Sequence, residues 1–148
     1  MKCFYHVTTL TLFSLAIVSS AQAKEFTKTG PKGGSAQGST TQTGNTVKGS
    51  SSFSGAHGAS GNAQGSATYD VRSQTVSGSG TTSTTGPRGN SVTSQGSGTY
   101  DTNTGTYTGQ GQVTGPKGQT HGGSVTGGNG SATVTGNNGK TKTISDPR

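Results

Sequence analysis

The sequence predicts an all-β chain: a repetitive antiparallel β-meander of about eight to ten short strands. Three observations carry that expectation. A block of residues recurs at a fixed offset, two kinds of turn alternate along it, and Gly alternates with Ser, Thr or Gln between the turns. Internal repeats come first because a fixed period is the signature of a repeat architecture. Aligning Gly55-Ala56-His57-Gly58 with Gly86-Pro87-Arg88-Gly89 places Gln64-Gly65-Ser66-Ala67-Thr68-Tyr69-Asp70 on Gln95-Gly96-Ser97-Gly98-Thr99-Tyr100-Asp101. The first element recurs at Gly30-Pro31-Lys32-Gly33 and Gly115-Pro116-Lys117-Gly118, with a weaker copy at Gly136-Asn137-Asn138-Gly139.

The repeated elements read as turns. Pro fixes φ near −65° for the first corner, and Gly supplies the left-handed residue that closes it. Such a turn followed by a glycine bulge makes a three-residue hairpin loop. The second kind of turn runs from Asp101 to Thr106, with Asp70 to Thr75 as its partner. An Asp that opens a turn accepts hydrogen bonds from backbone N–H groups just ahead of it.

The turns set testable registers. With Pro87-Arg88-Gly89 as the loop, Val76 faces Tyr100, Gly78 faces Gly98 and Gly80 faces Gly96. With Thr102 to Gly105 as the next loop, Tyr100 faces Tyr107, Gly98 faces Gly109 and Gly96 faces Gly111. With Ala56-His57-Gly58 as a loop, Val47 faces Ala67, Gly49 faces Gly65 and Phe53 faces Gly61. Like meets like on one face, and a one-residue slip would destroy every match. One face is expected to carry Tyr69, Val76, Tyr100 and Tyr107 at one end, Gly and Ala along its middle, and Phe53, Val92 and Val113 towards the other end. The opposite face is expected to be polar, with Ser77, Ser79, Gln95, Ser97, Thr99, Thr108, Gln110 and Gln112. A glycine-lined face admits a second sheet closely, so this face is expected to need a partner layer: a fold-back of the chain in a stacked or solenoid-like arrangement, a second copy, or a fibre.

Composition supplies the competing expectation, a largely disordered chain. Gly accounts for 28 of the 148 residues, and hydrophobic residues for only 22%. Few large apolar side chains and much Gly, Ser, Thr and Gln are the composition of segments that do not bury a core. The net charge is +7, which favours anionic neighbours without specifying one.

The first 23 residues have another character. Met1 and Lys2 give a positive start, Val7 to Val18 is mostly apolar, and Ala21-Gln22-Ala23 is an A-x-A triplet. These are the three parts of a secretory signal. The apolar run falls short of the roughly 20 residues that span a bilayer. The expected division is a signal peptide over 1–23 and a Gly/Ser/Thr-rich β-repeat region over 24–148. Export to the periplasm, cell surface or extracellular space follows. The one Cys, Cys3, lies in the signal, so the mature chain has no thiol for a disulfide, a nucleophile or a zinc site.

The mature chain holds His57, His121 and four acids: Glu25, Asp70, Asp101 and Asp146. Their spacing proposes no nucleophile–base pair and no paired carboxylates, so no enzymatic activity and no cofactor is expected. Asp101 to Gly105 begins like a calcium loop, but Gln112 stands where the bidentate Glu belongs. Gly136 to Thr141 is like a phosphate loop, but Val134 stands at its first Gly. Both read as turns. One constellation remains: Lys32, His57, Arg88 and Lys117 occupy the same position in successive turns of one kind. Same-side turns recur every two strands, at about 10 Å, a row suited to a polyanion such as an anionic polysaccharide, nucleic acid or lipid head groups.

A secreted structural or adhesive repeat protein, self-associating at a cell surface or in an extracellular, amyloid-like or biofilm matrix, is the expected function. In type the chain resembles bacterial curlin subunits, which are secreted, rich in Gly, Gln and Asn, and built of strand–turn repeats. Curlin repeats are shorter, and Ser91, Gln95 and Gly98 depart from their regular spacing, so the resemblance is to the class alone. The alternatives are a polyanion-binding module and an ice-binding surface. Thr41-Gln42-Thr43, Thr104-Gly105-Thr106-Tyr107-Thr108 and Thr133-Val134-Thr135 suggest the latter, although they are not expected to align as one ladder.

Overall fold

A computed structural model describes residues 23–30, 33–55 and 57–145. Apart from Ala23, the predicted export signal lies outside them, as do Lys32 and Ala56. The described chain is ten strands: β1 (Ala23–Thr29), β2 (Ser35–Thr43), β3 (Thr46–Ser54), β4 (Ser60–Asp70), β5 (Thr75–Thr85), β6 (Ser91–Asp101), β7 (Thr106–Thr114), β8 (Thr120–Gly128), β9 (Ser131–Gly136) and β10 (Thr141–Ser145). They form one sheet in sequence order, with β1 and β10 as its edges. Every pairing is antiparallel. The meander, rather than the disordered alternative, is what these residues form.

Each expected register is present. Val76 pairs with Tyr100, Tyr100 with Tyr107, and Phe53 with Gly61. Of the expected ways to cover the glycine face, a fold-back within the chain does not occur among the described residues, and the turns explain why. Tight hairpins return each strand beside its predecessor, so the sheet grows sideways and never passes over itself.

The two kinds of turn sit at opposite ends of the sheet. At one end five turns share a single hydrogen-bond pattern. In the turn after β5, the Gly86 N–H donates to the Asn90 carbonyl at 2.8 Å and the Gly89 N–H to the Gly86 carbonyl at 2.9 Å. The same two bonds recur from Gly30 and Gly33, Gly55 and Gly58, Gly115 and Gly118, and Gly136 and Gly139. The closing glycine needs a left-handed backbone, and its φ at Gly89 is 76°. This is the three-residue loop with a glycine bulge that the sequence implies.

The other end is varied. Two-residue turns at Gly44-Asn45 and Asn129-Gly130 join β2 to β3 and β8 to β9. Asp70 and Asp101 open the two longer turns. Asp70 Oδ1 accepts from the Arg72 N–H at 2.8 Å, and Asp101 Oδ1 from the Asn103 and Thr104 N–H groups at 2.8 and 3.0 Å. These two turns are tied together: the Gln74 carbonyl accepts from the backbone N–H and the hydroxyl of Thr102.

The core is very small. Val47, 8% exposed, is the one buried hydrophobic residue among the described residues. A single layer with both faces wet gains little from burial, and sheets of this kind need packing on one face for independent stability.

Candidate functional site

Strict alternation along ten registered strands sorts the side chains into two unlike faces. On the first, Gly49, Gly65, Gly80, Gly96, Gly111, Gly123 and Gly136 stand directly opposite one another across seven consecutive strands. Along most of this row, from Gly65 to Gly136, a side chain would be crowded by the neighbouring strand or turn, whereas at Gly49 a Cβ would meet only ordinary contacts. A Cβ on Gly65 would lie 3.0 Å from the Ser79 carbonyl oxygen, and one on Gly96 would lie 3.2 Å from that of Gln110.

The same face carries seven exposed large hydrophobic residues: Phe26, Phe53, Tyr100, Tyr107, Val113, Val134 and Ile144. Their exposure runs from 37% at Tyr107 to 57% at Ile144. Three of its aromatic rings lie over cross-strand glycines. Phe26 covers Gly38, Phe53 covers Gly61 and Tyr107 covers Gly127, each occupying the space a Cβ would need. Aromatic cover of a neighbouring glycine restores packing that the glycine itself lacks.

The second face is polar throughout. Thr43, Thr46, Thr68, Ser77, Thr99, Thr108, Thr126, Thr133 and Thr143 form one unbroken row from β2 to β10. Here the structure corrects the sequence reading, which did not expect the Thr-x-Thr segments to align. Thr43, Thr108 and Thr133 share this row, and Thr41 and Thr135 share the next. Hydroxyls pair across strands at Thr46–Thr68 (2.9 Å), Thr99–Thr108 (2.7 Å) and Thr133–Thr143 (3.1 Å). The polar face is also concave. Residues of β2 to β9 line one open trough of about 1420 Å³, from Thr43 and Thr46 to Asn137.

Of the predicted basic row, His57, Arg88 and Lys117 lie in turns of the same kind at one end of the sheet. Lys32 lies outside the described residues. Asp70 and Asp101 lie at the opposite end. The Arg72 N–H, followed by that of Ser73, holds the Asp70 carboxyl below its ordinary value of 3.8. For Asp101 the Thr104 N–H contributes most, followed by that of Asn103. Both carboxylates accept hydrogen bonds best when ionised, which is the cause of the shift. Among the described residues, no group of three or more His, Cys, Asp or Glu could hold a metal ion. No helix among them is long and apolar enough to cross a membrane.

No protein-family model matches the chain, and no curated protein or solved structure is significantly similar to it.

Proposed function

We propose that the chain is an exported structural or adhesive protein that works as an assembly, at a cell surface or in an extracellular matrix. The observation that carries this reading is the glycine face, which no other element covers among the described residues. It spans ten strands, about 43 Å across at ordinary strand spacing, and bears seven of the exposed large apolar side chains. Typical monomers keep their largest apolar patch to about 300–600 Å². A second copy laid on this face would supply the layer that the fold lacks.

The edges support conditional assembly. β1 carries Lys24 and Lys28, and β10 carries Lys142 with Lys140 just ahead of it. Lysine on an edge strand resists strand addition, and alternation places Lys24, Lys28 and Lys142 on the glycine face with Phe26 and Ile144, so at low salt these charges restrain association at the edges and at the margins of the face. Salt weakens that guard, with a Debye length of about 8 Å at physiological ionic strength. Light scattering and a cross-β dye signal should therefore rise along a salt series. A chain that stays monomeric at every salt concentration, with or without an added polyanion, would sink the assembly reading. The export half is tested by intact mass, which should show a product beginning at Lys24.

The second reading is polyanion binding by the turn row. It is favoured by His57, Arg88 and Lys117 recurring in one kind of turn at one end, and it requires binding that falls steeply with salt. The threonine row favours an ice-binding surface, but its concavity departs from the flat array such a surface needs.

A further inference from the structure

We propose that the concave polar face is a binding site for a neutral polysaccharide chain, lying in the trough across the strands. This goes beyond the assembly reading, which concerns the opposite face, and does not depend on it.

The trough crosses eight strands, β2 to β9. Seven strand spacings give it a length of about 34 Å, suited to an extended polymer rather than a compact ligand. Its chemistry is set by the alternation of the strands. Every lining side chain is a hydroxyl or an amide except Lys48. The large aromatic and aliphatic groups point to the other face, so the trough offers hydrogen bonds and no apolar platform.

The amides have capacity to spare. A Gln side chain offers two donors and two acceptor sites. Gln110 reaches Ser97 Oγ at a long 3.5 Å, while Gln64, Gln95 and Gln112 project into the same trough beside it. Gln95 and Gln112 stand directly opposite each other on β6 and β7. The cross-strand hydroxyl pairs leave each oxygen with acceptor capacity as well. Donors and acceptors thus recur at every strand, about 4.8 Å apart.

Charge selects between ligands. A polyanion laid in the trough meets one cation, Lys48. Arg88 and Lys117, with His57, lie in turns at one end of the strands, and Asp70 and Asp101, held ionised by their turns, lie at the other. A chain without charge but rich in hydroxyls matches the trough along its whole length and meets no repulsion. Any one site of this kind is weak, and copies held in an array would raise the apparent affinity through multivalency.

The test uses the mature chain, dilute enough to stay unassembled, titrated with cellohexaose, dextran and alginate by calorimetry. Cellohexaose or dextran should bind, with an association constant that changes less than about twofold between about 0.05 and 1 M sodium chloride, because no ion pairs are made. Gln95→Ala and Gln112→Ala should each weaken binding about fivefold, the usual worth of one net hydrogen bond. Ser97→Tyr fills the trough midway and should weaken it at least about tenfold. Strand content by circular dichroism checks the Ser97→Tyr fold; should that variant fail to fold, the two amide variants decide alone. Four outcomes would overturn the proposal. These are no binding of either neutral chain, binding of alginate alone that salt removes, neutral-chain binding that the folded Ser97→Tyr variant or both amide variants retain in full, and self-association blocked by Ser97→Tyr without any neutral-chain binding.

Discussion

Ser97 and Gly98 are neighbours in one strand, yet they belong to surfaces built on opposite principles. Across the glycine face, close approach of backbone crowds most of the middle row, and large rings and valines fill the margins. On the hydroxyl face, a short polar side chain stands at nearly every position and the surface is hollow. The first face has steric limits and exposed rings. The second has steric room and unused hydrogen-bonding groups. The same strands therefore tolerate substitution very differently on their two sides, and that difference is open to measurement.

The sharpest break in the comparison is a valine on each side. A Cβ on Gly98 would lie 2.8 Å from the Thr108 carbonyl oxygen and 3.4 Å from the Gly109 Cα. Gly98→Val should cost about 2–3 kcal/mol through overpacking, read as loss of strand signal and a lowered denaturation midpoint. Ser97→Val should stay within about 0.5 kcal/mol. Equal effects would mean that the faces are misassigned.

Next in size is removal of an aromatic cover. Phe53→Ala bares Gly61 and should cost about 1 kcal/mol, since the ring is only partly buried. Ser52→Ala, one residue away on the hydroxyl face, should change the midpoint hardly at all. A turn substitution separates strain from crowding. At Gly89 a Cβ would meet nothing within 4 Å, yet φ is 76°. Gly89→Ala should therefore cost about 1 kcal/mol from backbone strain alone.

The smallest expected effect is acid loosening of the Asp turns. Asp70 and Asp101 have folded values below 3.8. Their contribution is full above the unfolded carboxyl value and disappears as pH falls through the lower folded value. The Asn103 and Thr104 amide resonances should shift over that acid range in the parent chain. In Asp101→Asn the same resonances should lack that titration.

Much of the sheet was legible because turn length fixes register. The Gly86-Pro87-Arg88-Gly89 turn places Tyr100 on Val76, and the Asp101 turn places Tyr107 on Tyr100, so two loops determined three strands. The threonine row was missed for the same reason in reverse. The two-residue turns at Gly44-Asn45 and Asn129-Gly130 lie outside the repeated turn pattern, so Thr43 and Thr133 had no register to place them. The trough was invisible to pattern reasoning altogether. Strand alternation assigns Gln95 and Gln112 to a face, but curvature accumulates from strand twist over the whole sheet and has no local signature. The Gly115 turn, of the same kind as the Gly86 turn, likewise sets Tyr107 opposite Gly127, but that the ring folds over the glycine is a matter of side-chain rotamer, which turn length does not fix.

Contacts between elements connect only consecutive strands, and that gives the molecule an adjustable length. The unit from Gly55 to Asn62, β4 and its turns recurs at Gly86 to Thr93 and β6, so one period is a pair of strands with both of its turns. Duplicating such a unit in the gene would insert a hairpin in the interior of the sheet. Both original ends and both lysine-bearing edges would stay as they are, and the sheet would widen by about 10 Å. Deleting a unit would do the reverse. Natural variants of this chain should therefore differ in size by whole periods, as a ribbon is cut to measure, with stability changing in nearest-neighbour steps.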